Sequence, residues 1–260
     1  MPESLLSPNK WNPSGYWEPS SAVRLNARFL RDSGSSFFDT LLVNDISEDA
    51  PLGREFVAEI AELLQGYTGT DVNASLIVKD PRISVLLPFW LAAAARVNLS
   101  PRVVIAVRHP NEVASSLGAW KGLPAVHTAE LWLKYNLLAE RHTRHLPRAF
   151  ISYTRLLANW RREVLAISEA LGLSLTPNDE VDQFLSPGYR HMISDNEAVS
   201  IDTPWLREVY TALSSACRGG QLDTNVLDAA FLDFSQAQAS GTLPTIRSIG
   251  PDFGLAPSHS

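Results

Sequence analysis

Apolar residues recur every three or four positions in two early segments, and this spacing predicts helices. Segment 20–34 begins with serines suited to a helix N-cap and ends at Gly34. Segment 54–67 repeats the pattern after a polar, loop-like stretch. The run 82–98 is longer and almost wholly apolar, which predicts a buried helix that contains Pro88.

Short β-rich runs alternate with helical patterns in the middle of the chain. Strands are predicted at 75–80, 102–108 and 148–153. The helices that follow them are predicted at 82–98, 111–120, 129–146 and 154–173. This alternation is typical of right-handed βαβ units and a parallel sheet. It predicts an α/β fold built as a three-layer sandwich.

The strand pattern stops before the last third of the chain. Two closing helices are predicted at 204–220 and 225–240, and segment 241–260 is rich in Gly, Pro and Ser. Such a composition predicts a flexible tail. The predicted organisation is one domain over 1–240, with a core at about 15–175 and a helical part at 178–240, followed by the tail.

Composition and charge narrow the class of protein. The 260 residues are 45% hydrophobic and 19% charged, as in globular chains. A formal net charge of −6 argues against a broad surface for nucleic acid or anionic membranes. The single cysteine, Cys217, cannot form an intrachain disulfide and fits a cytoplasmic location. The amino-terminal residues lack a signal-peptide pattern, and the longest apolar run, Val85–Ala95, is too short to span a membrane.

Charged and polar residues follow each predicted strand. In open parallel sheets, ligands bind beyond the carboxyl ends of the strands, where helix N-termini also point. If the three strands share one sheet, cations, a hydroxyl and an aromatic ring converge on one edge and form a pocket suited to a phosphorylated nucleotide. The residues at these strand ends are Lys79, Asp80, Arg82, Arg108, His109, Ser152 and Tyr153.

Arg108 and Ser116 are the strongest candidates for binding a phosphate. The guanidinium forms paired, charge-assisted hydrogen bonds with phosphate oxygens, and the hydroxyl adds one more donor. A structural alternative also exists. In it, Arg108 forms a salt bridge with Glu112 or Asp80, and Ser116 is a packing residue.

The segment 108–116, RHPNEVASS, resembles the 3′-phosphate motif of the PAPS-dependent sulfotransferases. That motif is an Arg-x-Pro turn with a serine eight residues after the arginine. The segment 153–173 is similar to the family's tyrosine-led helix that ends in Leu-Gly-Leu, although Thr154 and Arg155 replace two acidic residues.

Two further segments are similar to bacterial members of the same family. The run 79–82, KDPR, resembles a Lys-Asp-Pro-Arg segment whose lysine approaches the transferring sulfuryl group. The run 15–18, GYWE, resembles a Gly-Tyr-Trp-Glu segment whose glutamate lies where related enzymes place the general base. The four motifs follow the order that the family has.

The resemblance implies a P-loop-NTPase-like core and transfer of a sulfuryl group from PAPS, 3′-phosphoadenosine 5′-phosphosulfate, to a hydroxyl acceptor. The acceptor would be a small molecule or a glycan, and the family's chemistry needs no metal. The implied site residues are Glu18 as general base, Lys79 at the sulfuryl group, Arg108 and Ser116 at the 3′-phosphate, Tyr153 near the nucleoside and Arg190 over the nucleotide.

One part of the family pattern is missing from the sequence. Family members have a glycine- and serine-rich loop upstream of the Gly-Tyr-Trp-Glu segment, and it binds the 5′-phosphosulfate through backbone N–H groups. No segment before Gly15 resembles that loop, and its prolines lack N–H groups. Either the chain is truncated upstream of this segment, or the protein binds nucleotide without that half of the site. The alternative function is that of a non-catalytic relative that acts as a nucleotide-binding or partner-binding module.

Other candidate residues also have structural interpretations. Glu18 could lie in an ordinary turn with a solvated carboxylate, and Lys79 could serve only as the ion-pair partner of Glu18 or Asp80. Large aromatic residues at apolar helical positions are most simply core residues. We expect Trp90, Trp132 and Trp160 to be buried, and His127, His142 and His145 to face solvent.

Overall fold

The computed structural model describes residues 4–10, 12, 15–42, 47–69, 75–183, 185 and 204–243. The described residues fall into two compact units, divided between Pro101 and Arg102. We call them unit 1 and unit 2. Arg190 and most of the predicted tail, from residue 244 onwards, lie outside the described residues.

Unit 1 is helical, and its three predicted helices are confirmed. They are α1 (Ser20–Asp32), α2 (Pro51–Thr68) and α3 (Ile83–Arg96). One aromatic side chain from each helix meets in the core: Phe29 stacks on Phe56 with 3.9 Å between ring centroids, and Phe89 packs edge-on against both. Burial of these large apolar surfaces stabilises the three-helix arrangement.

The prediction of a strand over 75–80 is wrong. These residues have no regular secondary structure, and no described strand pairs with them. Their side chains nevertheless alternate as in a strand, because Leu76 and Val78 pack against the helical core while Ile77 is 83% exposed. A β-strand requires a hydrogen-bonded neighbour, so an alternating pattern alone does not make one.

Unit 2 contains the parallel pairing that the sequence predicts. Strands β1 (Val103–Val107) and β2 (Arg148–Ser152) run parallel, with Val103 opposite Arg148 and Val107 opposite Ser152. Helices α4 (Pro110–Lys121) and α5 (Ala125–His142) form the connection between them. The strand predictions for 102–108 and 148–153 are therefore confirmed.

The remaining helices of unit 2 follow β2. They are α6 (Tyr153–Ala170), a short 3-10 helix (Asp179–Gln183), α7 (Pro204–Cys217) and α8 (Thr224–Ala239). Helix α6 consists of two helical stretches, because Asn159 has non-helical dihedral angles and its side chain accepts a hydrogen bond from the Arg162 N–H. The predicted closing helices α7 and α8 are confirmed.

Helix α5 is the central helix of unit 2. It packs against α4, α7 and β1 and is therefore buried on several sides. Trp132 on α5 is buried, as are Trp90 on α3 and Trp160 on α6, in agreement with prediction. The prediction that His127 faces solvent is wrong, because this residue is buried on α5 at only 2% exposure.

The described part of the chain has a mixed α/β fold that is mostly helical, with one two-stranded parallel sheet. The α/β class is thus confirmed at that level. The three-layer arrangement is not confirmed, since segment 75–80, the third predicted strand, does not join the sheet. It stays a prediction. In the described part of the chain, no helix is both long and apolar enough to cross a bilayer.

Candidate functional site

Arg108 and Tyr153 lie side by side at the carboxyl edge of the sheet. Val107 and Ser152 are opposite each other in the register of β1 and β2, so the next residue of each strand emerges at the same edge. The Cζ atom of Arg108 lies 4.5 Å from the centroid of the Tyr153 ring. A guanidinium over a tyrosine face is a cation–π contact, which attracts the cation to the ring.

The guanidinium of Arg108 also forms an ion pair with α4. Its Nε–H donates to Oε2 of Glu112 over 3.0 Å, and the two side chains are 30% and 17% exposed. The structural partner that the sequence suggested for Arg108 is therefore present. Both terminal nitrogens of Arg108, Nη1 and Nη2, lack a hydrogen-bond partner among the described residues.

The backbone around Arg108 is fixed by three neighbouring side chains. The Nε1–H of Trp132 donates to the carbonyl oxygen of Arg108 over 3.0 Å. His109 caps α4, because its Nδ1 accepts a hydrogen bond from the Asn111 N–H. The His109 ring also packs edge-on against Tyr210, at 4.6 Å between centroids. The chain is thus held immediately after Arg108, where it passes from β1 into α4.

Ser116 lies on the face of α4 that carries Glu112. The two residues are four positions apart in the helix, so their side chains are neighbours on its surface. Ser116 is partly exposed, and its hydroxyl makes no hydrogen bond within the described residues. Arg190, the remaining predicted nucleotide-binding residue, lies outside the described residues.

In unit 1, Glu18 and Lys79 form an ion pair. Nζ of Lys79 donates to Oε1 of Glu18 and to the carbonyl oxygen of Tyr16, each over 2.8 Å. Glu18 is buried, with 7% of its side chain exposed, whereas the Lys79 side chain is 54% exposed. The alternative in which the Glu18 carboxylate is solvated is therefore wrong. The third N–H of Lys79 has no partner among the described residues.

The surroundings of Glu18 raise the pKa of its carboxyl group above the ordinary value of 4.5. Burial is the largest cause, because it removes water from the charged form. The ion pair with Lys79 works in the opposite direction, and the nearby negative charge of Asp80 adds to the increase. Glu18 is therefore a stronger base than an exposed glutamate.

A buried polar network fixes the chain immediately after Lys79. Asp80 accepts a hydrogen bond from Nδ2 of Asn26 over 2.8 Å and forms an ion pair with Nη1 of Arg82 over 3.0 Å. Oδ1 of Asn26 in turn accepts from Nε1 of Trp90 over 2.9 Å. Asp80 and Arg82 are thus occupied by contacts within unit 1, which leaves Lys79 as the solvent-exposed cation of this segment.

The backbone before Glu18 has an uncommon conformation. Trp17 has a φ of +56° and is 53% exposed. A non-glycine residue in the left-handed region carries strain, and such residues concentrate at functional sites.

Sequence patterns did not identify the conformation of Trp17 or the contact between Lys79 and the Tyr16 carbonyl. The Arg108–Glu112 contact has a sequence signal, because the two residues are four positions apart.

Among the described residues, no group of three or more His, Cys, Asp or Glu side chains could hold a metal ion. Comparisons of the chain with protein-family models, curated proteins and solved structures give no match. The functional interpretation therefore depends on the sequence motifs and on the geometry of these side chains.

Proposed function

We propose that the chain is a sulfotransferase-like protein that transfers a sulfuryl group from PAPS to a hydroxyl acceptor. The observation that carries this proposal is the set of contacts made by the Arg108 guanidinium. Glu112 accepts a hydrogen bond from its Nε–H, its Cζ atom lies over the Tyr153 ring, and its terminal nitrogens have no partner among the described residues. A planar guanidinium held in this way is suited to bind a phosphate through two parallel hydrogen bonds. We assign it to the 3′-phosphate of the nucleotide.

Three further residues supply the rest of nucleotide recognition in this proposal. The hydroxyl of Ser116 gives one further donor to the 3′-phosphate, and Tyr153 contacts the nucleoside. Arg190 covers the nucleotide, a role that depends on the sequence resemblance alone. The proposal also includes a finer fold assignment, a three-layer sandwich of the sulfotransferase type. The proposed location of the protein is the cytoplasm.

The reaction is an in-line displacement at sulfur. The acceptor hydroxyl oxygen forms a bond to sulfur while the bond from sulfur to the bridging oxygen of the 5′-phosphate breaks. The bonding electron pair stays on that phosphate oxygen, and the hydroxyl proton is transferred to a base. The products are a sulfate ester and adenosine 3′,5′-bisphosphate. As in phosphoryl transfer, positioning and charge stabilisation supply most of the catalysis.

Glu18 is the proposed base. Its buried carboxylate has a raised pKa, which strengthens it as a proton acceptor, and only one of its oxygens is bound to Lys79 among the described residues. Lys79 has one N–H donor left after its contacts with Glu18 and Tyr16. In the proposed mechanism, that donor stabilises charge on the sulfuryl and bridging oxygens. The acceptor is a small-molecule or glycan hydroxyl.

A second candidate function is nucleotide or partner binding without catalysis. The observation that favours it is that both cations already have carboxylate partners, Glu112 for Arg108 and Glu18 for Lys79. A carboxylate beside a cation weakens the attraction of that cation for an anion. This candidate predicts nucleotide binding without turnover, or no nucleotide binding at all.

Calorimetric titration with two nucleotides tests the assignment of Arg108. Charge-assisted hydrogen bonds contribute about 1.5–3 kcal/mol, so Arg108→Ala should weaken binding of adenosine 3′,5′-bisphosphate by about tenfold or more. It should change binding of adenosine 5′-monophosphate little. Arg161→Ala, which removes an exposed arginine of the same unit, should leave both affinities unchanged. Equal losses of both nucleotides in Arg108→Ala would overturn the assignment.

Release of adenosine 3′,5′-bisphosphate from PAPS tests catalysis. We expect release to depend on an added hydroxyl acceptor, drawn from a panel of phenols and monosaccharides. Glu18→Gln should abolish release while nucleotide affinity is retained, because the amide cannot accept the proton. Binding of PAPS without acceptor-dependent release would favour the non-catalytic candidate.

A further inference from the structure

The ion pair between Arg108 and Glu112 has two opposite consequences for anion binding. Glu112 orients the guanidinium, and its negative charge also repels an approaching phosphate. We propose that Glu112 is a positioning residue, which holds the Arg108 guanidinium so that its terminal nitrogens face the 3′-phosphate. This role depends on the proposed function, because it concerns the same phosphate.

Two contacts from different elements restrict the guanidinium. Glu112 on α4 accepts a hydrogen bond from the Arg108 Nε–H, and the ring of Tyr153, the first residue of α6, lies 4.5 Å from the Arg108 Cζ atom. Of the five N–H donors of an arginine, this arrangement uses one and leaves the four on Nη1 and Nη2. Without the Nε contact, the long side chain could rotate over the ring, and phosphate binding would have to restrict that freedom.

The carboxylate of Glu112 is itself held in place. Glu112 is the third residue of α4, in the first turn, where the helix dipole favours negative charge. Its side chain is 17% exposed and accepts the hydrogen bond from Arg108. Because Glu112 belongs to a helix, it gives Arg108 an acceptor at a fixed point beyond the strand end.

A pair of substitutions separates orientation from charge. Glu112→Gln removes the charge but retains a carbonyl oxygen that can accept the Arg108 Nε–H. Glu112→Ala removes both. We expect Glu112→Gln to bind adenosine 3′,5′-bisphosphate at least as tightly as the original chain. Glu112→Ala should bind it about fivefold more weakly than Glu112→Gln, which corresponds to about 1 kcal/mol.

Two controls show that the effect passes through Arg108. The affinity ratio between the Ala and Gln variants should be close to one for adenosine 5′-monophosphate, which lacks the 3′-phosphate. It should also be close to one for adenosine 3′,5′-bisphosphate when both variants carry Arg108→Ala. A general folding defect would change the affinity for both nucleotides, so selectivity for the 3′-phosphate distinguishes positioning from a structural role.

The remaining outcomes contradict the proposal. In one such outcome, Glu112→Ala binds the bisphosphate as well as Glu112→Gln does, while Arg108→Ala still loses affinity for the bisphosphate and not for adenosine 5′-monophosphate. Arg108 then binds the 3′-phosphate without positioning by Glu112. Equal losses of both nucleotides in Glu112→Ala would make Glu112 a structural residue. Failure of the proposed function is seen separately: Arg108→Ala itself would then show no selectivity, and the role of Glu112 would be lost with it.

Discussion

The Cζ atom of Arg108 lies 4.5 Å from the centroid of the Tyr153 ring, at the ends of two neighbouring parallel strands. A cation–π contact of this kind contributes about 0.5–2 kcal/mol. Tyr153→Leu should therefore weaken binding of adenosine 3′,5′-bisphosphate by between about twofold and thirtyfold. Tyr153→Phe keeps the ring face under the guanidinium and should bind within about twofold of the original chain. Calorimetry measures both affinities, and equal losses in the two variants would show that the ring face is not what supports Arg108.

The neighbouring positions of Arg108 and Tyr153 could be predicted from the sequence because they depend on regular structure. Two apolar runs separated by helical segments predict parallel strands, and parallel strands place their carboxyl ends at one edge. The segment 75–80 shows the limit of the same reasoning. Its side chains alternate like those of a strand, but a ladder depends on a neighbour elsewhere in the chain, which the local pattern does not reveal.

The contacts of the predicted site residues were predictable to different degrees. The Arg108–Glu112 pair follows from their spacing, and the Lys79–Glu18 pair was one of the alternatives. The second partner of Lys79, the carbonyl oxygen of Tyr16, is not predictable, because its direction depends on the conformation of a loop. That conformation includes Trp17 in the left-handed region, which sequence patterns assign to glycine or asparagine rather than tryptophan.

The buried Asp80–Arg82 pair should be important for the stability of unit 1. The Asp80 side chain is fully buried and the Arg82 side chain is 4% exposed, so removal of one charge leaves the other without compensation. We expect Asp80→Asn to lower the free energy of unfolding by about 3 kcal/mol in urea denaturation. Asp32→Asn breaks the exposed Arg31–Asp32 pair and should change it by less than about 1 kcal/mol. A similar small effect at both positions would show that Asp80 is not held as described.

Two glycines of α2 should respond to alanine with opposite signs. A Cβ atom at Gly53 would overlap the carbonyl oxygen of Ser47 and crowd the Phe89 ring, so Gly53→Ala should destabilise the chain by about 1–3 kcal/mol. A Cβ atom at Gly66 would meet no heavy atom within 4 Å. Gly66→Ala should stabilise the chain by about 0.5–1 kcal/mol, because alanine is the better helix former. Urea denaturation measures both changes, and a stabilising Gly53→Ala would contradict the close approach of α2 to Ser47.

The left-handed conformation of Trp17 predicts an unusual preference for glycine. Both Trp17→Gly and Trp17→Ala remove the indole, so their difference reports on the backbone alone. With a φ of +56°, the glycine variant should be more stable than the alanine variant by about 1 kcal/mol. Ala58, an exposed position within α2, provides the control. There, Ala58→Gly should lower the free energy of unfolding by about the same amount. Greater stability of Trp17→Ala than Trp17→Gly in urea denaturation would mean that residue 17 has an ordinary backbone conformation.

The buried carboxyl group of Glu18 should make stability depend on pH. Its pKa is raised above 4.5, mainly by burial, so the folded chain retains this proton over a pH range in which the unfolded chain has lost it. Binding of more protons by the folded state means that stability falls as pH rises. The contribution of Glu18 is thus fully present below about pH 4.5 and is lost as pH rises through its folded-state pKa.

Comparison with Glu18→Gln isolates this effect, because the amide does not titrate. The difference in unfolding free energy, original chain minus Glu18→Gln, should be largest below pH 4.5 and should decline to a lower plateau as pH rises. Lys79→Met removes the interaction that lowers the pKa of Glu18, so the decline should become larger in that background. A difference that increases with pH would show that the Lys79 ion pair outweighs burial. Glu18 would then be a weaker base than an exposed glutamate, and its proposed role as proton acceptor would lose its physical support.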